Sequence, residues 1–175
     1  MQRVLIFGGN GFVGREVARR ALNSGHMPII ASRRPLPFPG CRTLAVDITD
    51  KSAVLSACRD ADVVVNCVAG NATTMIAAAT NIAHAVSASQ IDTIVHLSSM
   101  AVYGSTEGYI DETTAFGSNL GWYGAAKCKA EKILNGLTPD KHVMILRPGC
   151  IIGPGSHQWG GRIAKLLQTY RTGDI

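Results

Sequence analysis

Four side chains in the second half of the chain have the types and the spacing that proton transfer requires. The segment "HLSSMAVYG" ends an apolar run with two hydroxyls, Ser98 and Ser99, and "GWYGAAKCKAEKIL" places Tyr123 and Lys127 four residues apart. Residues i and i+4 of a helix lie on one face, so the phenol and the ammonium would be neighbours. An ammonium favours the phenolate, and the tyrosine can then give or take a proton while a serine orients the reacting oxygen. The alternative is a surface pair without chemistry, because Y-x-x-x-K is weak on its own.

The segment "VLIFGGNGFVGREVARRAL" near the N-terminus carries a glycine motif that can be read in two ways. From Gly9 it is G-x-G-x-x-G and from Gly8 it is G-x-x-G-x-x-G, and both readings end on Gly11 and Gly14. A β-branched and aromatic run precedes the glycines and helical apolar spacing follows them. In that context, glycines let a pyrophosphate approach the backbone, and the helix N-terminus offers unpaired N–H groups. The motif therefore predicts a dinucleotide site; the alternative is a glycine-rich turn that binds nothing.

The elements that would position these residues alternate along the chain. Strand-like runs are "VLIF", "MPIIAS", "TLAV", "DVVVNCV", "TIVHLSS" and "HVMILRP", and helix-like stretches cover 12–24, 50–59, 72–89 and 121–137. Such alternation predicts right-handed βαβ units, and therefore an α/β fold with a doubly wound, mostly parallel sheet. The prolines of "RRPLPFPG" predict a loop, and 104–120 is a second long one. Functional loops are expected beyond the carboxyl ends of the strands.

The end of the second strand-like run indicates the type of dinucleotide. A site that prefers NAD normally has Asp or Glu about 20 residues after the glycines, against the ribose 2′-hydroxyl. Here the corresponding residues are Ser32, Arg33 and Arg34. A guanidinium can bind a 2′-phosphate through its forked donors, so the sequence favours NADP(H) over NAD(H). The alternative is a pair of solvated loop arginines.

A carboxylate follows the third strand-like run. Asp47, in "AVDITD", could accept a hydrogen bond from an adenine amino group. Alternatively, Thr49 or Asp50 caps the next helix and Asp47 only belongs to the loop. The adenine contact and the helix cap can both be present.

In this order, "GGNGFVG", "DITD", "DVVVNCVAG", "HLSSMAVYG", "YGAAK" and "LRPGCIIGPG" resemble the motifs of the extended short-chain dehydrogenase/reductases, the group that includes the NAD-dependent epimerase/dehydratases. The resemblance covers nearly the whole chain. It implies a dinucleotide-binding Rossmann domain over 1–175, with about 156–175 beginning the family's smaller substrate-binding part, which would be largely absent. It also implies transfer of a hydride between nicotinamide and a hydroxyl or carbonyl carbon of a small molecule, such as a sugar nucleotide.

The resemblance assigns the catalytic roles. It implies that Ser99, rather than Ser98, is the catalytic serine. It implies Tyr123 as the proton donor or acceptor and Lys127 as the residue that binds the nicotinamide ribose. In the family, "VAG" would pass the cofactor and the backbone after Pro148 would lie beside the nicotinamide.

The resemblance also selects a glycine spacing, because the family has G-x-x-G-x-x-G and therefore uses Gly8, Gly11 and Gly14. Together with the residues at the second and third strand ends, the predicted cofactor-binding set is Gly8, Asn10, Gly11, Phe12, Val13, Gly14, Ser32, Arg33, Arg34, Asp47, Ile48, Val68, Ala69, Gly70, Tyr123, Lys127 and Pro148. One departure from the family is Ile76, which stands where an asparagine is usual.

Composition and charge exclude several other classes of protein. The net charge of +5 comes from basic residues spread along the chain, which argues against nucleic acid, and no apolar run approaches a membrane span. Five cysteines without a C-x-x-C pair and five scattered histidines indicate no metal site, and a reducing cytoplasm. We expect a small-molecule substrate, and a homodimer is possible. The rival predictions are a non-catalytic NADP(H)-binding sensor or subunit and a remnant without a substrate pocket; retention of Ser99, Tyr123 and Lys127 favours the enzyme.

Overall fold

The protein is built on one parallel sheet, seen in a computed structural model that describes residues 1–156 and 160–170. The strands are β1 Arg3–Phe7, β2 Met27–Ser32, β3 Arg42–Ala45, β4 Val63–Asn66, β5 Thr93–Leu97 and β6 His142–Leu146. Their spatial order is β3-β2-β1-β4-β5-β6, and every neighbouring pair is parallel. The predicted α/β fold with a doubly wound sheet is confirmed.

Helices connect most of the strands close to the predicted positions. They are α1 Phe12–Asn23, α2 Lys51–Cys58, α3 Ala72–Ser87 and α4 Gly121–Asn135, followed by α5 Arg162–Tyr170. A 3-10 turn, Met100–Tyr103, follows β5. The connection between β2 and β3 is the predicted proline-rich loop and contains no helix. The helix α5 was not predicted.

The sheet buries both of its faces near its centre, which explains the nearly continuous apolar runs of its strands. On β1, Leu5 and Phe7 point into the larger core, which contains buried residues of α2, α3 and α4. Val4 and Ile6 point the other way, into a smaller core with Ala18 of α1. Alternation along one strand therefore supplies two hydrophobic layers.

The parallel arrangement brings all the loops after the strands to one edge. The chain leaves β1 towards β2 on one side, whereas β4 lies on the other side of β1. This reversal of direction is the switch point at which open α/β sheets bind ligands. Residues 8–14, which include the first residues of α1 and are called the glycine turn below, follow β1 directly and so lie at the switch point.

A buried carboxylate joins three elements at that edge. Glu131 of α4 has no exposed surface and accepts hydrogen bonds from the hydroxyl of Ser98 and from Arg147, whose Nη2 lies 2.8 Å from Oε2. The Arg147 guanidinium also donates to the hydroxyl of Tyr103 at 2.9 Å and lies over that ring. The carboxylate thus fixes α4 to the loops after β5 and β6.

We expect Glu131→Gln to destabilise the fold strongly. The amide removes the negative charge but leaves Arg147 partly buried, and breaking a buried ion pair from one side costs about 3–5 kcal/mol. Urea unfolding should show this loss with an unchanged slope. The control is Glu16→Gln, which breaks exposed pairs with Arg19 and Arg20 and should hardly change the midpoint. Equal midpoints for the two variants would contradict the role assigned to Glu131.

Candidate functional site

Several glycines at the junction of β1 and α1 have no room for a side chain. Gly8 has φ +75°, and a Cβ there would lie 2.7 Å from the carbonyl oxygen of Cys67. A Cβ on Gly14 would collide with the carbonyl oxygen of Gly8, which also accepts from the N–H of Gly11 at 2.9 Å. Gly11 is the N-cap of α1 and contributes no capping side chain. The N-terminal N–H groups of α1 are therefore left open to an anion.

Both readings of the glycine motif describe real constraints. A Cβ on Gly9 would lie 2.7 Å from Cγ2 of the buried Ile30 on β2. Gly9 therefore permits close packing of the turn on β2, while Gly8 supplies the positive φ. Gly9, which is not part of the family's G-x-x-G-x-x-G spacing, is therefore needed for packing.

A cavity of about 660 Å³ lies at the edge of the sheet beyond β1, β4, β5 and β6, and we call it the tyrosine pocket. The predicted site residues that border it are Gly11, Phe12, Val13, Gly14, Val68, Ala69, Gly70, Ser99, Tyr123, Lys127 and Pro148. The bordering residues that were not predicted are Cys67, Leu97, Ser98, Trp122, Gly149, Ile151 and Ser156. The structure thus brings all three predicted catalytic residues to one cavity.

Lys127 is buried beneath this cavity. Its side chain is only 3% exposed, and its ammonium donates to the carbonyl oxygen of Leu97 at 2.7 Å. Burial lowers the pKa of Lys127 to about 8, although the charge of Glu131 favours the ammonium form. The Nζ atom lies 5.8 Å from the ring centroid of Tyr123, so the predicted neighbours are adjacent.

Tyr123 lies at the rim of the cavity. Its side chain is 36% exposed and makes an edge contact with the ring of Trp122, at 5.7 Å between centroids. A phenol in this position can reach a bound molecule, while the buried ammonium lies on its inner side.

The two serines after β5 have different surroundings. Ser98 is buried and donates to Glu131, which gives it a structural partner. Ser99 borders the cavity, and its Oγ accepts from the N–H of Ala101 at 3.1 Å. That contact uses the Ser99 oxygen as acceptor and leaves the hydroxyl proton for another acceptor.

A second cavity, of about 770 Å³, lies beyond the ends of β2 and β3 and is called here the arginine pocket. It is bordered by Asn10, Ser32, Arg33, Arg34, Ala45, Val46 and Asp47. The Oγ of Ser32 is buried in it without a hydrogen-bond partner. A buried hydroxyl left unpaired is unfavourable, so a ligand that accepts from it would be stabilised.

Asp47 borders the arginine pocket and is also fixed locally. Its Oδ1 accepts from the N–H and the hydroxyl of Thr49. These hydrogen bonds, and to a smaller extent the charge of Arg33, lower the pKa of Asp47. The cap of α2 is Asp50, whose carboxylate accepts from Ser52 and Ala53. Of the two alternatives for the cap, Asp50 is therefore the residue used.

Two predicted cofactor residues, Gly8 and Ile48, border neither cavity. Ile48 is 7% exposed and belongs to the larger core. Its carbonyl oxygen accepts from the amide of the buried Asn81 of α3 at 2.8 Å. Asn81 thus holds the loop that carries Asp47, and its signal in the sequence is a single amide within an apolar helix.

The cysteines and the four histidines that the structure describes lie in the core or at the surface, and Nδ1 of His26 and Nε2 of His96 are buried without a hydrogen-bond partner. His96 is 2% exposed and accepts from the amide of Asn66, and burial lowers its pKa to about 3. All five cysteines are free. Across 1–156 and 160–170, no three His, Cys, Asp or Glu side chains are grouped so that they could hold a metal ion. No helix in that part of the chain is long and apolar enough to cross a bilayer.

Comparisons with known proteins agree with this fold. The chain is 29% identical over 158 residues to a dTDP-4-dehydrorhamnose reductase of Mycolicibacterium smegmatis, a match that covers 82% of this chain and 44% of the reductase. A Burkholderia cenocepacia protein crystallised as a candidate epimerase shares 26% identity, with a TM-score of 0.84 over 99% of this chain and 63% of its own. The Bordetella bronchiseptica enzyme WbmG, solved with NAD and UDP, shares 22% identity, with a TM-score of 0.80 over 98% of this chain and 60% of its own.

The chain therefore spans between about two fifths and two thirds of the length of these relatives. The family model for NAD-dependent epimerases and dehydratases matches residues 4–174, which is nearly the whole chain. This protein belongs to the NAD-dependent epimerase/dehydratase family.

Proposed function

We propose that this chain forms the nicotinamide-cofactor site and catalytic centre of an enzyme that oxidises or reduces a hydroxyl or carbonyl carbon of a small molecule. The observation that carries the proposal is the lining of the tyrosine pocket. Three separate segments, the glycine turn, the loop after β5 and the helix α4, contribute to this single cavity. Epimerisation, dehydration and single reduction share this chemistry, and all three remain within the proposal.

The residues present fit a dinucleotide. The open N-terminus of α1 suits a pyrophosphate, since no side chain caps it and its first residues border the tyrosine pocket. The unpaired Ser32 hydroxyl and the two arginines suit the ribose and phosphate at the other end. When bound, the nicotinamide supplies the oxidising or reducing equivalent.

The chain's own residues handle the proton. Tyr123 exchanges a proton with the substrate oxygen, Ser99 donates a hydrogen bond that orients this oxygen, and Lys127 stabilises the phenolate from below. Lys127 also donates to the nicotinamide ribose. The geometry supports these roles, because the ammonium lies 5.8 Å from the phenol ring centroid and all three side chains border one cavity.

We propose a sugar nucleotide as the substrate class. The support comes from relatives, which include a dTDP-4-dehydrorhamnose reductase and an enzyme solved with NAD and UDP. Trp122 is 63% exposed at the pocket and offers an aromatic face to a sugar or base ring. A homodimer and a cytoplasmic location remain predictions from the sequence.

We propose further that the site prefers NADP(H). No carboxylate follows β2 in the position that would hold a 2′-hydroxyl, and the arginine pocket instead presents Arg33 and Arg34 beside an unpaired serine hydroxyl. Asp47 also borders this pocket, where it could accept a hydrogen bond from an adenine amino group.

Arg33→Ala is expected to weaken NADPH binding far more than NADH binding. A charge-assisted hydrogen bond to phosphate contributes about 1.5–3 kcal/mol, so the NADPH dissociation constant should rise about 10- to 100-fold. Calorimetry with both cofactors measures this difference. Arg59→Ala, which removes an arginine outside both cavities, is the control. A wild-type preference for NADH, or an equal loss for both cofactors, would refute the NADP(H) preference.

Cofactor affinity should fall as the pH rises through about 8. The pKa of Lys127 is lowered by burial, so the ammonium is present below that pH and is lost above it. The neutral amine carries no charge to stabilise the phenolate, and it is a weaker donor to the ribose than the ammonium. Fluorescence titrations from pH 6.5 to 9.5 should show this loss in wild type, and Lys127→Met should bind weakly at every pH. A flat wild-type profile would contradict the role of Lys127.

Tyr123→Phe should lower turnover by about 10²–10⁴-fold and leave cofactor affinity unchanged, because general acid–base catalysis contributes a factor of that order. The assay is a screen of nucleoside diphosphate sugars that follows reduced-nicotinamide absorbance and product isomers. The control is Tyr109→Phe, which alters a tyrosine that is 91% exposed. Ser99→Ala should be less damaging than Tyr123→Phe. Near wild-type turnover by Tyr123→Phe would end this mechanism, and cofactor binding without any turnover in wild type would favour the sensor or the remnant without a substrate pocket.

A further inference from the structure

The side chain of Asn10, in the glycine turn, is bonded to the loop between β2 and β3. Its Nδ2 donates to the carbonyl oxygen of Arg34 at 2.6 Å, and its Oδ1 accepts from the N–H of Leu36 at 3.4 Å. These residues are 24 and 26 positions away in the sequence. Both ends of one amide are therefore used on the backbone of one loop.

A second contact holds the same loop against α1. The guanidinium of Arg15 lies 5.0 Å from the centroid of the Phe38 ring, and Phe38 packs against the smaller core. Prolines at positions 35, 37 and 39 restrict the backbone between these contacts. The loop is consequently attached at both its beginning and its middle.

The attached loop begins with the residues that border the arginine pocket. Arg33 is exposed, and Arg34 supplies the carbonyl oxygen that Asn10 binds. A free loop would have to be ordered when a phosphate binds, and that cost would weaken binding. A loop already fixed to the glycine turn avoids much of this cost.

We infer that Asn10 is a positioning residue for cofactor discrimination, which holds the Arg33–Arg34 backbone in register with the glycine turn. This inference rests on the proposed preference for NADP(H). The pyrophosphate and the 2′-phosphate of one ligand then meet a single preorganised surface. Asn10 acts through the loop between β2 and β3, because both polar atoms of its side-chain amide are hydrogen-bonded to the backbone of that loop.

Asn10→Ala should therefore weaken NADPH binding about three- to tenfold and NADH binding hardly at all. Asn23→Ala, at the exposed end of α1, is the matched control. The same substitution in an Arg33→Ala/Arg34→Ala background should cause little further loss of NADPH affinity, because residues that act as one unit are not additive. Additive losses would mean that Asn10 contacts the cofactor directly, and would overturn the inference.

A measurement without ligand tests the attachment itself. Amide hydrogen exchange at Leu36, whose N–H is bonded to Asn10, should be faster in Asn10→Ala than in wild type or Asn23→Ala. Unchanged exchange at Leu36 would show that the loop does not depend on Asn10.

The remaining outcomes separate the two proposals. If wild type does not prefer NADPH, the proposed cofactor preference fails and the inference fails with it. If wild type prefers NADPH and Asn10→Ala keeps the same ratio of the two dissociation constants, the inference alone is overturned.

Discussion

The buried carboxylate of Glu131 is the constraint on which the catalytic side of the molecule depends. A fully buried negative charge is tolerated only with strong partners, and here Arg147 and the Ser98 hydroxyl provide them. Each of the three stands near a candidate site residue: Ser98 precedes Ser99, Arg147 precedes Pro148, and Glu131 lies one helical turn after Lys127. Satisfying one charge therefore fixes the relative positions of three segments that are distant in the sequence.

Burial of α4 side chains also determines the proton chemistry of the site. Lys127 is taken out of water by the packing of α4 on the sheet, and this lowers its pKa towards the range where proton transfer occurs. Cys67 lies in the same environment, where burial raises the pKa of its thiol to about 11 and keeps it neutral. Tyr123, one turn before Lys127, stays at the rim. A single helix thus presents a buried cation and an accessible phenol.

Local patterns predicted what depends on local geometry. The strand–glycine–helix sequence predicted the turn because positive φ and close packing are properties of a few adjacent residues. The i,i+4 spacing predicted the contact of Tyr123 with Lys127 for the same reason. The bond from Glu131 to Ser98, over 33 positions, and that from Asn10 to Leu36 depend on strand order and register. No spacing rule carries this information. Ile48 also shows what a sequence motif cannot predict, because a position in a motif does not reveal whether its side chain faces the core.

The strand order divides the site into two halves with different chemical roles. On the β2 and β3 side, the arginine pocket is open and charged, and its chemistry suits recognition of an anionic end of a ligand. On the β4, β5 and β6 side, the tyrosine pocket combines a buried ammonium with a largely apolar lining, which suits proton transfer.

The glycine turn lies between the two pockets at the switch point, and its own residues border both cavities. Because Asn10 reaches one side while Gly11 and Gly14 open onto the other, a shift of this turn would disturb binding and chemistry together. This shared position explains why the turn is so tightly packed, with Gly8, Gly9 and Gly14 each pressed against neighbouring atoms that exclude a Cβ.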